Sequence, residues 1–205
     1  MQLFVSPRSP FVREVLVAVC ELGLAGSIKL IPAVVRMDQP NEAVLAVNPL
    51  GKIPALILPD GTPVSGTLPI IDEMDRRAGG HLLPTERSER SWHLRRQAVS
   101  HGLLDILVLW RNERDKPAPQ QTPGWLANFA RKAAGTLDAL ERGAAELGAA
   151  PFGLAHASLA ALGFYLDFRF ADLEWRRGRP DLAAEMASLA ARPSVQEAAA
   201  LCAAM

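Results

Sequence analysis

Three short stretches of this chain could handle an anion or an extended peptide. The first is SPRSPFVREV, residues 6–15. Ser9 precedes Pro10 and an apolar run at helical spacing, the pattern of a helix start with Ser at the cap and Pro in the first turn. The same hydroxyl would stand in the positive field of the helix N-terminus. A thiol bound there would lose its proton more readily, and Ser9 would donate a hydrogen bond to sulfur rather than attack anything. Capping and anion stabilisation are both open to Ser9. The second stretch is NPLGKIPALIL, residues 48–58. Pro54 opens an apolar strand, a position that tolerates the missing N–H. A cis Ile53-Pro54 bond would turn the Ile53 backbone toward an extended ligand, whereas a trans bond at a strand start is the commoner case. The third is TLPIIDEMDRRAGG, residues 67–80. Thr67 is expected to cap this helix, and the N–H groups just beyond it can bind a carboxylate. Together, a thiolate site, a strand edge and a carboxylate site would suit a small thiol peptide.

The remaining reactive side chains point to less. His81, His93, His101 and His156 fall on different elements without metal-ligand spacing, so no metal is expected. Arg95-Arg96 and Arg176-Arg177 read as solvated faces. No nucleophile-elbow, P-loop or dinucleotide fingerprint is present. Cys20 and Cys202 sit near opposite ends of the chain. Cys20 lies in an apolar helical pattern as a small core residue, and this sparse usage fits a reducing, cytoplasmic setting.

The elements that must position these residues fall into two regions. Residues 1–78 mix strand and helix signals. QLFV is a strand, Phe11 to Leu22 keeps helical spacing up to Gly23, and IKLIPAVV is a second strand, a β-α-β unit with parallel strands. PALIL and TPV flank Pro59-Asp60-Gly61, a turn that makes them a hairpin. A linker is expected at 79–85. Residues 86–205 show only helical patterns, beginning with a long amphipathic helix whose stripe is read as Trp92, Val99, Leu103, Leu107 and Trp110. FGLAHASLAALGFYL is a buried central helix, too interrupted and short for a membrane span. Lys+Arg and Asp+Glu balance at 22 each, so neither nucleic acid nor a membrane surface is an expected partner.

This order of features resembles the cytosolic glutathione transferases over nearly the whole chain. SPRSPFVREVLVAVCELGL, NPLGKIPALILPDG, TLPIIDEMD and the helical tail carry the likeness, and the chain looks most like bacterial members with a Ser-Pro-Phe active-site segment. The resemblance implies a thioredoxin-like domain (β-α-β-α-β-β-α) followed by an all-helical domain, usually as a homodimer. It implies that Ser9, with Ser6 as a lesser candidate, assists the glutathione thiolate. It implies that Ile53 precedes a cis-proline at Pro54 and pairs with the cysteinyl backbone of glutathione. Gly66 and Thr67 match the acidic residue and serine that hold the γ-glutamyl end. A small hydrophobic electrophile would sit near Phe11, Leu103, Leu107 and Trp110. With Ser at position 9, conjugation or isomerisation is expected over thiol–disulfide exchange. The alternative is a binding protein of the same fold without turnover.

Two departures stand out. Gly66 replaces the acid that meets the glutathione ammonium group, a loss on the order of 1.5–3 kcal/mol, or roughly tenfold to a hundredfold in affinity. The Ser/Thr-x-x-Asp capping box of the central helix reads Gly153-Leu-Ala-His156, so its reciprocal side-chain bond is expected to be lost.

Overall fold

A computed structural model describes all 205 residues. The chain divides into two compact units, Met1–Ser91 with Ala191–Met205, and Trp92–Ala190.

The first unit is built on a four-stranded sheet in the order β2-β1-β3-β4. β1 (Gln2–Val5) lies inside it, parallel to β2 (Lys29–Pro32) and antiparallel to β3 (Ala55–Ile57), which pairs in turn with β4 (Pro63–Ser65). The two strand prolines, Pro32 and Pro63, fall on the two edge strands, where a missing N–H costs no ladder bond. The β3–β4 turn is closed as its residues dictate. Gly61 takes φ 88°, its N–H donates to the Leu58 carbonyl at 3.0 Å, and the Asp60 carboxylate accepts the Thr62 N–H at 2.9 Å.

α1 (Pro10–Glu21) buries ten of its twelve residues, so it needs cover on more than one face. It packs against α3 (Thr67–Ala78) and against the last helix, α8 (Pro193–Ala203). α8 therefore belongs with the sheet unit, although its residues lie within the stretch 86–205 that patterning assigns to the helical domain. Composition alone shows that α8 is a helix but not which surface it covers. The short α2 (Glu42–Leu45) starts at Asn41, whose Oδ1 accepts the Val44 N–H at 3.2 Å.

The second unit contains most of α4 (Arg87–Arg114), with α5 (Pro123–Ala149), α6 (Leu154–Arg169) and α7 (Pro180–Ala191). The inner face of α4 differs from the expected stripe. Leu103, Leu107 and Trp110 are buried, but Val99 is 42% exposed, and the other buried positions include His93, Gln97 and Ser100. Val99 stands about 200° around the helix from Gln97, so the two cannot share a face. His93 is inside with a partner there, since its Nδ1 accepts the Ala155 N–H of α6.

α6 buries twelve of its sixteen residues, which makes it the central helix of its unit. Its start corrects the expectation of a lost reciprocal bond. Gly153 brings no side chain, yet its own N–H donates to His156 Nδ1 at 3.1 Å. The imidazole takes the place of the carboxylate because a neutral ring nitrogen is also an acceptor.

Candidate active site

Ser9 is the N-cap of α1, with extended backbone at φ −84° and ψ 120°. Its Oγ accepts the Val12 N–H at 3.3 Å, and its carbonyl accepts the Arg13 N–H at 3.1 Å. The Ser9 N–H donates to the Ser6 carbonyl at 3.1 Å, which closes a turn with Pro7 at its second position. Ser6 and Ser9 are thus the two ends of one turn, and both are half-buried. The cap uses the oxygen of Ser9 as an acceptor and leaves its proton available as a donor.

The Ile53-Pro54 bond is cis. The sheet ladder begins one residue beyond it, at Ala55, so the Ile53 backbone takes no part in strand pairing. The approach to this bond is held by a residue the sequence reading passed over. Asn48 is buried; its Nδ2 donates to the Lys52 carbonyl at 2.8 Å and its Oδ1 accepts the Leu50 N–H at 3.1 Å. The Gly51 N–H donates back to the Asn48 carbonyl at 2.8 Å, with Gly51 at φ 62°. The Asn-Pro pair followed by Gly was the available signal, since Asn commonly closes such turns with its own side chain.

Gly66, not Thr67, occupies the capping position of α3. The chain enters the helix from β4 through φ 92° and ψ 149°, a conformation that glycine reaches without strain and a side chain does not. Thr67 is the first helical residue and is buried. Pro69 has no N–H, and the Ile70 N–H donates to the Gly66 carbonyl at 3.2 Å. The first-turn amides without an intrahelical acceptor are therefore those of Thr67 and Leu68. At the other end of α3, the buried Asp75 carboxylate accepts the N–H groups of His81, Leu82 and Leu83 at 2.8 to 3.0 Å, so the stretch expected as a plain linker is tied down.

The sheet unit thus carries two helix starts and an unpaired stretch of backbone. Residues 8–77 match the glutathione S-transferase N-terminal domain. A glutathione transferase family member from Pseudomonas fluorescens Pf-5, solved with bound glutathione, is 35% identical. That match covers 96% of this chain and 97% of the other, with a TM-score of 0.92. The chain belongs to the glutathione transferase family. A second structure from that organism, with bound S-(propanoic acid)-glutathione, matches at 34% identity, 97% and 98% coverage and a TM-score of 0.87. The uncharacterized GST-like protein YibF of Escherichia coli (strain K12) is 29% identical over 95% of this chain and 96% of its own length. The fold is that of the family, a thioredoxin-like sheet domain followed by an all-helical region. No helix is long and apolar enough to cross a membrane.

The other expected site residues of this family member lie as follows. Phe11 is half-buried on α1 in the sheet unit. Leu103, Leu107 and Trp110 are buried on α4, and the Trp110 ring lies 5.1 Å from that of Phe170. Neither cysteine resembles a reactive thiol. Burial, with Glu197 beside it, pushes the Cys20 thiol up to about 12, and burial also raises Cys202. An open cavity of about 520 Å³ lies at the C-terminal end of α6, lined by Asp167, Ala171, Glu174, Trp175, Arg176 and Arg177. None of these is a candidate residue, and its arginines are paired within it, Arg176 with Asp167 and Arg177 with Glu174.

Proposed function

We propose that this chain is a glutathione transferase that binds glutathione along the sheet unit and activates its thiol at Ser9. The observation that carries the reading is the state of Ser9: half-buried, at the start of a twelve-residue helix, with its oxygen accepting from Val12 and its proton available. Relatives solved with glutathione or an S-substituted glutathione support the choice of ligand.

In this reading the Ser9 hydroxyl and the positive end of α1 hold the sulfur as thiolate, and its proton leaves to water. The thiolate electron pair then forms a carbon–sulfur bond with a small hydrophobic electrophile, whose leaving group departs with the displaced pair. Ile53 offers its backbone to the cysteinyl part. The amides of Thr67 and Leu68 take the γ-glutamyl carboxylate. The active form is a homodimer in the cytoplasm.

Gly66 favours a second reading, a binding protein without turnover, because it leaves the glutathione ammonium without the acid expected there. Calorimetric titration with glutathione, paired with initial rates on an activated chloroarene, separates the two. Heat of binding together with turnover supports the transferase. Binding without turnover supports the second reading, and no heat or thermal shift at millimolar glutathione overturns glutathione as the ligand.

A further inference from the structure

The two histidines buried in the helical unit converge on one place, the start of α6. His156 Nδ1 accepts the Gly153 N–H at 3.1 Å. His93, reaching from α4, places its Nδ1 3.4 Å from the Ala155 nitrogen, whose N–H it accepts. These are the N–H groups of the cap residue and of the first turn, which α6 cannot satisfy itself, and Gly153 supplies no side-chain oxygen. Each ring must therefore keep the lone pair on Nδ1. For His156 the tautomer is set from both sides: Nε2 carries the proton and donates to the Leu147 carbonyl of α5 at 3.0 Å.

We propose that His93 and His156 form an acid-sensitive cap on α6, so that a proton on either ring releases the first turn of the unit's central helix. A protonated Nδ1 is a donor facing a donor. It also sets a positive charge against the positive end of the helix, where a cation is unfavourable. The ring centroids are 6.1 Å apart, so one imidazolium opposes the other. At His93 the charged neighbours do not offset this. Arg96 stacks on Trp92 at 4.0 Å and pairs with Glu146 of α5, which also accepts the Trp92 indole N–H at 2.6 Å. Glu146 is thus engaged by Trp92 and Arg96. Phe152 stacks on His156 and adds no charge. Burial, then His156 and Arg96, hold His93 down at about 4.

The direction follows from linkage. A group harder to protonate in the native state than in the unfolded chain stabilises fully above its unfolded value of about 6.5, and that contribution is lost as the pH falls toward 4. The test is urea unfolding of the whole protein at a series of pH values, for the parent, His93→Asn and His156→Asn. Asparagine keeps an acceptor near Nδ1 and does not titrate. The parent should take up about one proton more on unfolding than His93→Asn between pH 6 and 5, and His156→Asn should also flatten the profile. Superimposable profiles overturn the proposal. NMR of the parent's imidazoles keeps the test open if a variant does not fold. Neutral rings down to the acid transition support the cap, and titration of both near pH 6.5 in the folded protein overturns it.

Discussion

The Oγ of Ser9 accepts the amide proton of Val12 at 3.3 Å while its own proton remains available. One hydroxyl can therefore cap α1 and donate to a sulfur at the same time. Ser9→Ala should cost about 1 kcal/mol of stability through the lost cap. It should reduce conjugation by a larger factor than that loss implies, and raise the pH at which bound glutathione ionises. Ultraviolet absorbance of the bound thiolate, followed against pH, checks the second effect. Equal rates in parent and variant would remove Ser9 from the chemistry.

Gly66 sits where a side chain would be strained by the backbone rather than by crowding. Its φ is 92°, and an added Cβ would meet Pro69 Cδ only at an ordinary 3.5 Å. Gly66→Ala should lose about 1–3 kcal/mol. Gly66→Glu should lose a similar amount but bind glutathione more tightly, by roughly tenfold to a hundredfold if its carboxylate meets the ammonium. Denaturation and calorimetry on both variants separate the two effects. A glutamate variant that binds no better than the alanine one would show that the ammonium does not lie beside position 66.

Arg192 holds the start of α8 to the end of α1. Its Nε lies 2.8 Å from Glu21 Oε2, and the Ser194 hydroxyl donates to the same oxygen at 2.6 Å. The hydrogen bond from Arg192 holds the Glu21 carboxyl below its ordinary range. Because the native value is depressed, the stabilisation is present above the unfolded value and lost as the pH falls through the native one. Arg192→Ala should cost about 1 kcal/mol at neutral pH, since the guanidinium is partly exposed. Its deficit relative to the parent should shrink in acid. Urea midpoints at the two pH values measure this, and a deficit independent of pH would count against the carboxylate as the partner.

Cys20 and Cys202 are both buried with raised thiol values. In the native protein they should resist an aromatic disulfide reagent at neutral pH, with labelling limited by opening of the structure. Labelling as fast in the native protein as in urea would contradict that placement.

Local chemistry was readable from the chain itself. Ser-Pro before an apolar period means a capped helix, Pro-Asp-Gly between apolar runs means a hairpin turn, and the order of elements marks the family's fold. These depend on neighbours within a few residues, so spacing reports them. Tertiary structure decided what depends on partners distant in sequence. α8 covers α1, and Asp75 gathers the amides of residues 81–83. His93, 62 residues from Ala155, accepts the N–H of that residue at the start of α6. It also decided that glycine, not threonine, occupies the cap of α3, because the chain enters the helix there at φ 92°, which glycine alone reaches without strain. A sequence names the donors and acceptors; only the packed chain determines which of them meet, because burial removes the water that would otherwise satisfy each one separately.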